Sequence, residues 1–298
     1  MALSTYKLLK NAKNSNKIEI KGQLLLDVQQ LLLSVLKDFS ALCDKYGFYY
    51  SICGGTALGA ARHQGFIPWD DDVDVFMLRT EYNKFLKVFD KELGDKYYIH
   101  SPETTPELGG PLCQIMVKGT VLKTFTDPGD GESGICIDVF ILESAPDNGA
   151  ARWIHGMGSL FYGFCLSCSR IYKNKDLLLK MYNDSGKEVL SSIKKKARIG
   201  SLLRFHSLTT WSKRFTWWNS LCKNENSKYV VCPTGIKHYF NEIFPRDKYC
   251  TTTKIKFEGY EFNIIEAYDW ALTRLYGNYM EIPPKEKQET HFVIDIKL

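Results

Sequence analysis

Phe48-Tyr49-Tyr50-Ser51-Ile52-Cys53-Gly54-Gly55-Thr56, followed after a short gap by Asp70-Asp71-Asp72-Val73-Asp74-Val75-Phe76, is the stretch that decides the fold. Its first part is a β-prone run ended by a glycine pair. Thr56 is a residue type suited to capping a short helix over 57–62. His63 to Trp69 reads as a loop broken by Gly65 and Pro68. Asp72 to Phe76 alternates polar and apolar with period two, which predicts a strand. The order strand, glycine turn, helix, acidic strand belongs to a mixed α/β class.

Residues 70–74 hold four carboxylates in five positions, and such groups repel one another unless a cation is near. The bland reading is a solvated acidic turn, although Phe66, Ile67, Trp69, Val73, Val75 and Phe76 surround it. As an EF-hand, Asp70, Asp72, Asp74 and Glu81 would be ligands, but Val75 stands where that loop needs glycine. Asp70-Asp71-x-x-Asp74 also spells the acidic motif of prenyl-diphosphate enzymes, which must lie on a helix; Pro68 and the valines argue for a strand. Read as an Asp-x-Asp pair, Asp72 and Asp74 point to one face, because residues i and i+2 of a strand do. They could then share Mg2+ or Mn2+. Gly54-Gly55-Thr56 would offer free N–H groups to a phosphate. Asp138 is a lone acid in the apolar run Ile135 to Phe140, where an unpartnered carboxylate is costly. Glycine turn, carboxylate pair and third carboxylate together describe a nucleotidyltransferase-type site. Arg62 and His63 could pair with phosphate and Trp69 could stack on a base or choline, against a surface role for Arg62, a structural or solvent-facing one for His63 and a packing role under the loop for Trp69.

Outward from this unit, apolar residues recur at three- and four-residue steps from Leu24 to Leu42, predicting a helix over 21–46 that stops at Gly47. A helix over Arg79–Leu93 follows, then strands at 114–117, 121–125 and 134–142. A last helix is expected near 265–276, before Gly277 and Pro283-Pro284. The fold class is therefore α/β (α+β), a mixed sheet flanked by helices. The chain divides into a catalytic core, 1–150 with 224–298, and a basic, Trp-rich, mainly helical insertion or lid over 151–223. That segment carries 14 Lys/Arg against 3 Asp/Glu, a net of +11 in a chain of net +5. Lys194, Lys195, Lys196, Arg198, Arg204, Lys213 and Arg214 interleave with Trp211, Trp217 and Trp218, a make-up suited to an anionic membrane surface. A nucleic-acid patch has similar composition.

The 298 residues suffice for a large core without staples, and 44% hydrophobic with 24% charged residues excludes disordered, collagenous and coiled-coil classes. Nine cysteines, an odd count, suit reduced thiols in the cytoplasm. No signal peptide is expected at the N-terminus. The uncharged run Trp153–Ser169 is 17 residues, short of a membrane span.

The stretch Gly54-Gly55-Thr56-Ala57-Leu58-Gly59-Ala60-Ala61-Arg62-His63-Gln64-Gly65-Phe66-Ile67-Pro68-Trp69-Asp70-Asp71-Asp72-Val73-Asp74-Val75 closely resembles the signature of the LicD family. Phe244-Pro245, Phe257-Glu258-Gly259, Tyr276-Gly277-Asn278-Tyr279-Met280, Pro283-Pro284 and His291 resemble its C-terminal part. The similarity spans about 20–145 and 240–298 and does not reach the basic segment. Ala57 and Ala61 depart from it, where bulkier apolar residues are expected. The resemblance implies a phosphotransferase on a nucleotidyltransferase fold. Bacterial members move phosphocholine from CDP-choline to a glycan such as teichoic acid or lipopolysaccharide. The animal relatives, fukutin and fukutin-related protein, move ribitol phosphate from CDP-ribitol. It also implies metal binding by Asp72 and Asp74.

The expectation is a Mg2+-dependent transferase with a CDP-alcohol donor and a glycan or lipid-linked glycan acceptor. It would act at the cytoplasmic face of the membrane, with no nucleic-acid partner. The alternatives are a nucleotidyltransferase moving NMP from an NTP and a non-catalytic binding module.

Overall fold

The computed structural model describes residues 18–124, 133–183, 186–284, 288 and 292–298; the expected strand end at Phe125 and the motif residue His291 lie outside them. The long amphipathic run forms α1 (Gln23–Tyr46), which ends at Gly47 in the left-handed conformation, φ 67°. Its stripe Val28, Leu32, Val35, Leu36 and Phe39 is buried against the main sheet. Each such side chain contributes about 1.5–3 kcal/mol when fully buried.

After β1 (Ile18–Glu19), the strands are β2 (Tyr50–Ile52), β3 (Asp74–Leu78), β4 (Tyr97–His100), β5 (Cys113–Val117), β6 (Val121–Thr124), β7 (Cys136–Ala145), β8 (Tyr229–Val231), β9 (Ile243–Pro245), β10 (Thr252–Phe257), β11 (Tyr260–Ile265) and β12 (Phe292–Lys297). The main sheet has nine described strands, in the order β10-β11-β2-β3-β7-β5-β4, with β8 paired to the far end of β7 and β9 to β8. The pairs β3·β7 and β11·β2 are parallel and the others antiparallel, so the sheet is mixed as expected. A smaller antiparallel sheet orders β1-β12-β6.

The alternation of β3 sets its two faces. Val75 and Met77 enter the core shared with α1 and with Phe85 and Phe89 of α3 (Arg79–Leu93). Phe76 and Leu78 pack on the opposite face with Phe140, Phe244 and Tyr249. On that second face also lies α8 (Tyr268–Tyr276), whose Tyr268 and Ala271 join the same cluster. The helix starts later than expected because β11 continues to Ile265, after a turn in which Glu258 and Gly259 take φ 51° and 79°.

The basic segment is helical, as read. Its elements are α4 (Gly149–Lys173), α5 (Lys175–Met181), α6 (Lys187–Leu202) and α7 (Leu208–Asn219). It has two small cores of its own, one around Tyr182 and Ile193 and one around Leu166, Trp211 and Phe215. Among the described residues no helix is long and apolar enough to cross a membrane. All nine cysteines are free thiols.

Candidate active site

Strand register builds the site. The parallel pairing of β3 and β7 sets Asp74 directly beside Asp138, and antiparallel β5 sets Gln114 on the other side of Asp138. Gln114 donates from Nε2 to Asp138 Oδ1 at 2.9 Å. The backbone of Asp74 is held twice: its N–H donates to Thr56 Oγ1 at 2.8 Å, and its carbonyl accepts from Cys53 N–H at 3.0 Å. The chain just before β3 is tied to β7 by Asp138 N–H donating to the Val73 carbonyl at 2.8 Å.

Thr56 is not a helix cap. The helix α2 (Gly54–His63) begins two residues earlier, after extended Cys53, and buried Thr56 lies inside its first turn with its hydroxyl on Asp74 N–H. Gly54 has φ +54°, and a Cβ there would stand 2.7 Å from Asp74 Oδ2. At Gly55 it would stand 2.8 Å from Asp70 Oδ2 and 3.9 Å from Asp72 Oδ1. The glycine pair is therefore where three of the chain's own carboxylates approach the N-terminus of α2. The helix dipole favours negative charge there. Asp70 is fixed further by Gln29 Nε2, which donates to its carbonyl at 2.8 Å.

This packing perturbs the acids. Burial, then the charges of Asp72, Asp138 and Asp70, push the Asp74 carboxyl well above the usual carboxylate range. The thiols of Cys53 and Cys136 are raised by burial first and by these carboxylates after it, so neither is a ready thiolate. Tyr276, at the end of α8, is raised by burial first and then by Asp74, with Asp70 and Asp72 adding to it.

The remaining expected residues make contacts within the chain. Arg62 donates from Nη1 to the carbonyls of Tyr279 at 2.9 Å and Glu281 at 3.2 Å, and from Nε to His63 Nε2 at 2.9 Å. It thus ties the end of α2 to the turn that follows Tyr276. His63 is depressed by burial first and by the Arg62 charge second. Trp69 is half-buried and packs on the main core. Gln114 and Tyr276 were not read as site residues. Gln114 shows as a lone polar residue in an apolar strand, and Tyr276 falls in one of the family-like motifs.

The donor set suits a hard divalent cation: carboxylate oxygens, one of them raised by burial first and by its neighbours' negative charge after it. Among the described residues no three acids, thiols or imidazoles converge into a closed metal cage. Mg2+ needs none, since it is ordinarily held by one or two carboxylates with substrate phosphates and water. Asp74, with Asp72 and Asp138 beside it, offers carboxylates of that kind.

Residues 47–107, which include the glycine turn and the acidic strand, match the family model described as LicD/FKTN/FKRP, nucleotidyltransferase domain. The chain is 29% identical over 290 residues to a lipopolysaccharide cholinephosphotransferase LicD of Haemophilus influenzae, covering 91% of this chain and 97% of that protein. Two uncharacterised proteins match over 65 residues: one of Rickettsia typhi at 40% identity, covering 21% of each chain, and one of Rickettsia prowazekii at 42%, covering 22% of this chain and 23% of that protein.

Proposed function

We propose that this LicD-family chain transfers phosphocholine, or a related phospho-alcohol, from a CDP-linked donor such as CDP-choline to a hydroxyl of a cell-surface glycan precursor. The observation that carries the reading is the in-register Asp74–Asp138 pair, in a chain that aligns along 91% of its length with a cholinephosphotransferase. Asp72 and Asp74 would hold Mg2+. The ion would neutralise charge on the donor diphosphate, an effect worth several kcal/mol in such transfers. Gln114 holds the Asp138 carboxylate in place, and Asp138 takes the proton from the attacking acceptor hydroxyl. That hydroxyl oxygen bonds to the phosphorus carrying choline, the bond to the bridging oxygen breaks, and CMP leaves. Gly54 and Gly55 leave room for the Asp74 and Asp70 carboxylates at the first turn of α2, while Thr56 holds Asp74 and Arg62 holds the Tyr276 turn. Residues 1–150 and 224–298 would form the catalytic core. A lipid-linked acceptor would place the enzyme at the cytoplasmic face of the membrane.

Calorimetric titration of CDP-choline, CDP-ribitol, CDP-glycerol, CTP and ATP, with Mg2+ and with chelator, tests the reading. Metal-dependent binding of one CDP-alcohol above the triphosphates, followed by CMP release on adding acceptor, is expected. Preference for a triphosphate, with pyrophosphate as product, would replace it with nucleotidyl transfer.

A further inference from the structure

The first half of α4 presents an apolar stripe outward. Trp153, Ile154, Met157, Leu160, Phe161 and Phe164 fall on one helical face, and all are exposed, from 37% at Leu160 to 58% at Trp153 and Ile154. The second half of α4 is covered: a Cβ on Gly200 of α6 would stand 2.3 Å from the Cys168 carbonyl oxygen. At one side of the stripe Trp218 of α7 fills the notch at Gly158 and leaves its neighbour Trp217 54% exposed. At the end of α6 and just after it, Leu202 and Phe205 are 77% and 69% exposed. An exposed apolar stripe of this kind marks an interaction site.

The charge of the same helical segment selects the occupant. α4 contains no Asp or Glu, and residues 189–224 contain none either, against eight Lys/Arg. Lys194, Lys195, Arg198, Arg204 and Lys213 are exposed. A second copy of the chain would bring like charges face to face. A nucleic acid would meet the cations and leave Ile154, Met157 and Leu202 without a partner. An anionic bilayer satisfies both features, aromatic and aliphatic side chains entering the headgroup–acyl boundary while Lys and Arg meet acidic headgroups. We infer that the α4 stripe, with Trp217, Leu202 and Phe205, is the face that seats this protein on an anionic lipid surface. The inference rests on the membrane placement proposed above and is independent of the chemistry.

Co-sedimentation with phosphatidylcholine vesicles, and with vesicles of equal parts phosphatidylcholine and phosphatidylglycerol, tests it without donor or metal. The wild type should pellet with the anionic vesicles at low salt and much less at high salt. The double variant Trp153→Ser/Phe161→Ser, altered at exposed positions, should bind about tenfold more weakly. Lys194→Ala/Lys195→Ala should weaken binding and flatten its salt dependence. Wild type remaining in the supernatant, or the Trp153/Phe161 variant binding like wild type, overturns the inference. So does tighter binding to a DNA duplex at the same salt, or a dimer that the variant dissolves without any vesicle binding. CMP release with a soluble acceptor is read on the same variants and should be unchanged. Vesicle binding without CMP release in the wild type would reject the phosphotransferase reading and leave the docking face standing.

Discussion

The acid face of the sheet and the α4–α7 segment both concentrate charge of one sign, and they do it in opposite ways. On the sheet, Asp70, Asp72, Asp74 and Asp138 are close enough that burial and mutual repulsion push Asp74 well up. Backbone register, Gln114 and Thr56 hold the acids in that unfavourable proximity. On the helices, Lys194, Lys195, Arg198, Arg204 and Lys213 are exposed, and water screens their repulsion. Crowded like charges held rigidly are a device for binding a counter-charge at one point. Dispersed, solvated like charges attract an extended surface.

Removing an acid from the crowded side is the severest way to break this contrast. Asp74→Asn should leave the fold intact, since it relieves repulsion, and should lower transfer by roughly a thousandfold, the loss of several kcal/mol of charge stabilisation. A folded Asp74→Asn retaining more than a few per cent of CMP release would remove Asp74 from the chemistry. Next in size is a core truncation on the helical side. Trp211 is 2% exposed and packs with Leu166 and Phe215, so Trp211→Ala should cost about 3–5 kcal/mol. Hydrogen exchange should show the loss concentrated in α4–α7, with Mg2+-dependent CDP-choline binding within about twofold of wild type, because the site's supports lie in the sheet and α2. Donor binding that collapses with Trp211→Ala would show that the two regions act as one.

A smaller change sharpens what holds the acids. Gln114→Ala leaves Asp138 in register while removing the donor at 2.9 Å. Transfer should fall about tenfold, mostly in kcat, roughly the worth of one hydrogen bond to a charged group. Gln114→Glu, which adds a like charge beside Asp138, should be worse than Gln114→Ala. If the glutamate variant is the better of the two, Gln114 is not a positioning residue.

Local signals made much of this legible. The periodicity of α1, its stop at Gly47, the α3 boundaries and the alternation of β3 follow from residue types within a few positions of one another. Asp138 stood out as an acid in an apolar strand. Its neighbour could not be read, because pairing with Asp74 depends on a parallel register between strands about sixty residues apart in the chain. Thr56 had the side chain of a cap, but the helix starts at Gly54, where the carboxylates gather, and the hydroxyl is taken by Asp74. Arg62 had the charge for a phosphate, yet its Nη1 is satisfied by two carbonyls that arrive from more than two hundred residues downstream. In the basic segment composition revealed the cations and tryptophans. It could not separate buried Trp211 from exposed Trp217, which depends on how α7 packs against α4.

The mildest expected effect concerns the seam where α4 meets α7, on the side of α4 away from the stripe. His155 is 6% exposed and held at both ring nitrogens, Nδ1 by the Tyr239 hydroxyl and Nε2 by the Trp218 carbonyl, each at 2.8 Å. The carbonyl can only accept, so Nε2 carries the proton, and neutral Nδ1 accepts from Tyr239. Protonating Nδ1 would set two donors against each other until the hydroxyl turned. Burial depresses the His155 pKa, with the Trp218 carbonyl opposing in part. The unfolded chain therefore takes up a proton at the ordinary histidine value, about 6.5, while the folded chain resists to lower pH. The contribution to stability is complete above that value and is lost as pH falls from it toward the depressed one. The thermal midpoint of the wild type should consequently drop between about pH 7 and pH 5 more steeply than that of His155→Gln, which cannot titrate. Parallel profiles for the two proteins would mean that the seam tolerates a charged imidazole, held by apolar packing and by Trp218 Nε1 donating to the His155 carbonyl at 2.8 Å.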